Sequence, residues 1–181
     1  YFEISLNAKK GDKVSFSFAE VLDKDGNFYN ENYRSAKCDF EYICKDGYQT
    51  HKPKLAFWGF RYIRVDSFPD ELAFDSVKAI VVHSDIKRTG YLDSSSPLLN
   101  KLFKNIVWGQ KGNFLDVPTD CPQRDERLGW TGDAQMFIRT ASYTYDVEKF
   151  FEKWLSDLWL EQQREGLVPF VIPQVHEKPG S

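Results

Sequence analysis

Residues 116 to 133 read Asp116-Val117-Pro118-Thr119-Asp120-Cys121-Pro122-Gln123-Arg124-Asp125-Glu126-Arg127-Leu128-Gly129-Trp130-Thr131-Gly132-Asp133. Five carboxylates and two arginines are gathered here, and two prolines and two glycines stiffen or bend the backbone between them. A simple connection between helices takes about two to eight plain residues, so the extra length and charge ask for a chemical reason. Hydrolysis of a glycosidic bond supplies one, because it needs a protonated carboxyl to feed the leaving oxygen and an ionised one to act as base or nucleophile. Ionised Asp120, Asp125 or Asp133 near Glu126 would favour its protonated form, and Arg124 or Arg127 would favour its ionised form. Trp130 could stack on a sugar ring and keep water from the acid. The competing reading is a solvated loop knit by Arg–Asp pairs, with Asp133 doing no more than favouring a helix start. Residue types alone do not choose between the two.

Other reactive side chains form no pattern. His51, His83 and His176 are scattered without a matching Ser or Cys, and no role is assigned to them. Cys38, Cys44 and Cys121 are odd in number and lack metal-ligand spacing, so they read as thiols, and Cys121 reads as packing against the loop. The net charge of -3 and pI of about 5.7 offer no basic surplus for nucleic acid. No run of about 18 apolar residues suggests a membrane span. The 16% aromatic content, including five Trp, exceeds what a chain of mean hydropathy -0.52 needs for its core, and aromatic faces suit sugars.

Two kinds of element must position the loop. Val14, Phe16 and Phe18 alternate with small residues, and similar runs occur at Phe40 to Cys44, Phe60 to Val65 and Val77 to Val82. The opening Tyr1 to Ile4 reads as the middle of a strand. With turns at Asp23-Lys24-Asp25-Gly26-Asn27 and Lys45-Asp46-Gly47, these predict an antiparallel sandwich. After Ser84 the period lengthens. Ser96-Pro97 predicts a helix start with apolar positions from Leu98 to Val107 and a stop at Gly112. A second helix is expected from Thr131 or Gly132 through Ala141, and a third from an Asp146 cap to Gly166. In the third, Trp154 and Trp159 read as core residues. Trp58 reads as a brace between the sandwich and the helices. Strands followed by helices, without alternation, predict an α+β chain in two segregated parts, with the boundary between Asp85 and Ser95.

The string from Val117 to Gln135 closely resembles the signature of the α-L-rhamnosidases of glycoside hydrolase family 78. The likeness extends through Trp108-Gly109-Gln110-Lys111-Gly112-Asn113-Phe114, through Tyr145-Asp146, and through Gly166-Leu167-Val168-Pro169. It also takes in Ala19-Glu20-Val21-Leu22-Asp23 and Gly59-Phe60-Arg61-Tyr62. The resemblance implies the end of a β-sandwich domain over 1–85 and the start of an (α/α)6 toroid over 86–181. It also implies an inverting hydrolase that releases terminal α-L-rhamnose from a glycoside or polysaccharide without cofactor or metal.

On matching positions the resemblance gives Glu126 the role of general acid and makes Asp120, Arg124, Trp130 and Asp133 sugar ligands. The family's general base lies on a later helix, so the 181 residues are expected to be inactive by themselves, because an inverting pair stands about 6.5 to 9.5 Å apart around a water. Helix faces meant for absent neighbours would favour self-association. A carbohydrate-binding scaffold without hydrolysis is the alternative. A lyase of similar helical architecture would present Tyr or His in its cleft, and the 120–133 string speaks against it. The parent's compartment is left open among periplasm, cytoplasm and the outside of a bacterial cell.

Overall fold

The structure, a computed structural model, describes residues 1–175. The chain forms two compact units. Unit 1 is Tyr1–Val81 together with Gln123–Asp125, and unit 2 is Val82–Pro122 with the chain from Glu126 onward.

Unit 1 is built from strands whose side chains alternate between core and solvent. Strand β1 (Phe2–Ala8) buries Phe2, Ile4 and Leu6, and β2 (Lys13–Ala19) buries Val14, Phe16 and Phe18. Short β3 (Val21–Leu22) and β4 (Phe28–Tyr29) form a hairpin. Its turn closes because the Asp23 carboxylate accepts from the Asp25 and Asn27 amides, at 2.9 and 2.8 Å, while Gly26 takes φ +86°. A single 3-10 turn over Glu31–Tyr33 follows, then β5 (Asp39–Ile43), β6 (Gly47–His51), β7 (Tyr62–Ser67) and β8 (Val77–Ala79). Two three-stranded antiparallel sheets result, ordered β6-β1-β8 and β5-β2-β7.

An aromatic layer fills the space between the sheets. The Phe2 ring lies 5.6 Å from Phe16 and 4.8 Å from Phe40, edge to face in both cases. Trp58 belongs to this layer, stacked 5.1 Å from Phe18, and that is where the expected brace in fact packs. The apolar run from Val77 to Val82 makes a shorter strand than its pattern suggests. The Ile80 amide still reaches the Tyr1 carbonyl at 2.7 Å, but Val81 and Val82 are exposed.

Unit 2 opens with α1 (Pro97–Asn113), where the Ser96 hydroxyl accepts from the Leu99 amide at 3.4 Å and Pro97 occupies the first turn. A tight hairpin of β9 (Phe114–Leu115) and β10 (Val117–Pro118) turns at Asp116, whose φ is +67°. Helices α2 (Thr131–Thr144) and α3 (Glu148–Glu165) complete the described elements. Phe114 stacks on Phe150 at 4.6 Å, and Tyr145, Phe151, Trp154 and Ile172 close the core. Inside it the Thr144 hydroxyl donates to the Gln110 side-chain carbonyl, which satisfies a buried polar pair.

Two helix expectations are corrected. Asp146 is not the cap of α3: Val147 is, and no side chain caps that end. The chain there is still extended, with Tyr145 bridged to Arg88 and the Asp146 amide bonded to the Lys87 carbonyl at 2.8 Å, so the helix begins later. Trp154 is core at 3% exposure, whereas Trp159 is 58% exposed. Five residues carry a helical side chain about 140° around the axis, which takes Trp159 off the Trp154 face. Gly166 stops α3 as its spacing predicts, with φ +74° and its amide on the Gln162 carbonyl. Among the described residues, no helix is long and apolar enough to cross a membrane.

Candidate active site

The charged stretch leaves β10 and returns as α2, and its neck is tied by hydrogen bonds inside unit 2. Thr119 donates both its amide and its hydroxyl to the Asn113 carbonyl, each at 2.9 Å. The Asp120 amide donates to the Leu128 carbonyl at 3.2 Å, and the Leu128 amide donates back to Asp120 Oδ1 at 3.1 Å. This reciprocal pair closes the loop across eight residues. Arg127 takes φ +52° just inside the neck, a left-handed conformation that costs about 1–2 kcal/mol in a residue with a side chain.

The exit is strapped by the segment after α3. Ile172 donates its amide to the Gly129 carbonyl at 2.8 Å, Thr131 donates its amide to Phe170, and Trp130 bridges Val171. Trp154 Nε1 reaches the Ile172 carbonyl at 3.2 Å. A Cβ on Gly129 would stand 2.3 Å from that same carbonyl oxygen, so only glycine fits. The Thr131 bond satisfies one of the free amides at the start of α2, whose Trp130 side chain makes no capping bond.

Within this frame Glu126 is half-buried, and side-chain ligand atoms of Asp120, Cys121 and Glu126 lie within 4.8 Å of one another. They are the one trio among the described residues whose side chains could reach a common metal ion. Cys121 is buried, and none of the three cysteines is in a disulfide. Asp120 and Asp133, with Asn113 and Thr119, line a cavity of about 600 Å³ whose apolar wall includes Met136 and Phe137. Asp133 is exposed in the first turn of α2. Glu126, Arg124 and Trp130 are not among the residues lining that cavity. Trp130 Nε1 is buried without a hydrogen-bond partner among the described residues. Three of the five candidate residues therefore form a pair on the cavity, Asp120 and Asp133, and a pair of close carboxylates, Asp120 and Glu126, that share one member, while Arg124 and Trp130 belong to neither.

Arg124 belongs to unit 1 with its neighbours Gln123 and Asp125. Gln123 Nε2 donates to Glu20 Oε2 at 2.7 Å. Burial raises the Glu20 pKa above its usual value, while the Gln123 bond and the Arg124 charge pull the other way. Asp125 accepts from Arg34 Nε and Nη2 at 2.8 and 2.7 Å and from the Ser35 hydroxyl. The Ser35 bond first, then Arg34, hold its carboxyl below the ordinary range. Arg34 itself sits at φ +57°. Sequence reading missed Glu20, Arg34 and Ser35 as site residues, because no local spacing marks partners about ninety to a hundred positions away, and it missed Asn113, which is only six positions from Thr119, because its part there is played by a backbone carbonyl. His83 bonds its Nδ1 to the Ser84 carbonyl and His51 stacks on Tyr42, while His176 lies outside the described residues.

Residues 87–181 match the family described as bacterial alpha-L-rhamnosidase 6 hairpin glycosidase domain, and residues 1–83 match the bacterial alpha-L-rhamnosidase concanavalin-like domain. An alpha-L-rhamnosidase of Formosa agariphila is 46% identical over 175 residues, which is 95% of this chain and 19% of that protein. The chain thus spans about a fifth of the length of that relative. Among solved structures, native alpha-L-rhamnosidase from Aspergillus terreus superposes with a TM-score of 0.92 at 43% identity, covering 97% of this chain and 21% of that one. The Streptomyces avermitilis alpha-L-rhamnosidase complexed with L-rhamnose superposes with a TM-score of 0.91 at 42% identity, covering 98% and 17%.

Proposed function

The chain belongs to the bacterial α-L-rhamnosidase family, and from that premise we propose that the protein containing it hydrolyses terminal α-L-rhamnosides with Glu126 as the general acid. The observation that carries this reading is the placement of Glu126 beside Asp120, which in turn shares the cavity with Asp133. An acid that must protonate a glycosidic oxygen needs to stand next to the groups that hold the sugar. Asp120 and Asp133 are the groups on the cavity wall.

In this reading residues 1–85 belong to the sandwich domain and 86–181 to the helical toroid. Asp120 and Asp133 accept hydrogen bonds from sugar hydroxyls, and the family likeness adds Arg124 as a donor, each bond strengthened by charge. Trp130 offers its ring face to the sugar. The reaction inverts the anomeric centre: Glu126 gives its proton to the leaving oxygen while a carboxylate from another part of the full-length protein activates water. No cofactor enters these steps. The substrate is a rhamnose-bearing glycoside or polysaccharide.

The test compares the full-length protein with Glu126→Gln, both checked for folding, on an alkyl and a nitrophenyl α-L-rhamnoside. The expected result is a fall in turnover of about 10²–10⁴-fold on the alkyl substrate, whose poor leaving group needs the proton, and a smaller fall on the nitrophenyl one. Equal activity of variant and native on both substrates would remove Glu126 from the chemistry and leave a carbohydrate-binding role.

A further inference from the structure

The cavity that carries Asp120 and Asp133 changes character along the two helices that wall it. On α1, Asn113 lines it at the end joined to the loop, and Ile106 lines it two turns, about 10 Å, farther from that end. On α2, Asp133 stands in the first turn. Met136 and Phe137 follow three and four positions later, one turn on along the same face at about 5–6 Å. Both helices therefore set a polar group next to the loop and apolar ones farther from it. Phe137 is held edge to face on Phe114 at 6.2 Å. Met136 lines the cavity while 82% exposed, so it is not committed to the core of unit 2.

Unfilled core would not carry two carboxylates on its wall, because a buried charge without a partner is costly. A site for hydroxyls alone would gain nothing from apolar side chains one turn away. The wall as it stands suits an occupant that is polar on one edge and apolar on the other.

We propose that Met136 and Phe137, with Ile106, receive the methyl group on C5 of the sugar and make the cavity select a 6-deoxy sugar. The proposal rests on the reading of this cavity as the rhamnose site. In a rhamnopyranose the methyl stands across the ring from the C2 hydroxyl. A ring whose hydroxyls reach Asp120 and Asp133 therefore turns its methyl toward the apolar side chains, and burying it there removes apolar surface from water. A hydroxyl on the same carbon, as in an L-mannoside, would enter this wall without a partner. An L-lyxoside, which has no carbon at that place, leaves the wall unfilled.

The experiment measures kcat/KM of the full-length protein on the nitrophenyl α-L-rhamnoside, α-L-lyxoside and α-L-mannoside, which share their ring hydroxyls and differ only at C5. The native protein is expected to prefer the rhamnoside to the lyxoside by about 10- to 200-fold, the range for one carbon in an apolar pocket, and to the mannoside by about 10²-fold. Phe137→Ala is expected to cut the rhamnoside-to-lyxoside ratio by about tenfold. Met136→Gln offers the extra hydroxyl of the mannoside a partner and is expected to cut the rhamnoside-to-mannoside ratio by about tenfold.

A merely structural role lowers all three substrates by one factor and leaves both ratios at their native values, and that result overturns the proposal. So does a native protein that cleaves the lyxoside as fast as the rhamnoside. Should Phe137→Ala fail to fold, Met136→Gln carries the test, since substitution at so exposed a position costs the fold little. A native protein that hydrolyses the rhamnoside and depends on Glu126, with ratios that neither variant moves, defeats the methyl wall alone. A native protein that hydrolyses none of the three defeats the reading of the site as well.

Discussion

In β2, Phe16 is surrounded by Phe2, Phe40 and Phe68, and any one of these rings shares its packing with several others. In the loop that precedes α2, Gly129 has its carbonyl on the Ile172 amide, and the space where a Cβ would stand is filled by the Ile172 carbonyl and the Trp154 indole. Both residues are buried. The sheet core distributes its stability over many similar apolar contacts, while the loop concentrates its geometry in a few directional bonds and two left-handed residues, Asp116 and Arg127. The first arrangement tolerates substitution in proportion to the area lost. The second is sensitive to single atoms, and it lies where the carboxylates are.

Three substitutions sharpen this contrast. The largest effect on stability is expected from Phe16→Ala, at about 3–5 kcal/mol, since a fully buried ring is removed and its neighbours collapse only in part. Hydrogen exchange should quicken throughout β5, β2 and β7, which pair with one another. A faster exchange reaching equally into α1, α2 and α3 would mean that the two cores open as one, and the contrast would lose its basis.

Gly129→Ala comes next, with about 1–3 kcal/mol expected for forcing a methyl group against a backbone carbonyl. Its signature is local: faster exchange at Thr131 and Ile172, whose amides hold the strap, together with a loss of activity larger than the loss of folded protein. Unchanged exchange at both amides would show that the loop yields without cost.

The smallest effect concerns pH. Glu20 is partly exposed, and burial raises its pKa above the ordinary 4.5. The stability it contributes is therefore fully present below pH 4.5 and is lost as pH rises through the folded-state value. Glu20→Gln, which can still accept from Gln123, should flatten that decline and leave the protein slightly more stable near neutrality. Denaturation midpoints taken from pH 4 to 8 would show it. A native curve that rises over that range relative to the variant would reverse the sign assigned to Glu20.

Strands with alternating apolar residues were legible in the sequence, and β6 was not. Gly47-Tyr48-Gln49-Thr50-His51 carries no apolar alternation, and it is held as a strand by its ladder to β1 and by the Gln49 side chain bonded to Tyr42 and to nearby backbone. Helix α1 was legible at its start, because the Ser96 cap and Pro97 are local signals, whereas the helix runs through the expected stop at Gly112 to Asn113. The start of α3 was misread because Asp146 has the right side chain for a cap but is kept extended by the segment at Lys87 and Arg88. In the site, the identity and order of the charged residues were plain from the chain, and their grouping was not.

What the sequence alone determined is whatever repeats over a few residues: the change from a period of two to a period near 3.6, the turn chemistry at Asp23 to Asn27, the caps at Ser96 and Gly166, and the long string from Val117 to Gln135 that marks the family. Only the tertiary structure decided that Asp120 meets both Glu126 and the cavity, that Gly129 can be nothing else, and that Asp125 is gripped by Arg34 across 91 positions of chain. Periodicity reports which face of an element is apolar. It carries no record of which distant backbone or carboxylate that face will meet, because such pairs form only once packing has brought the elements together.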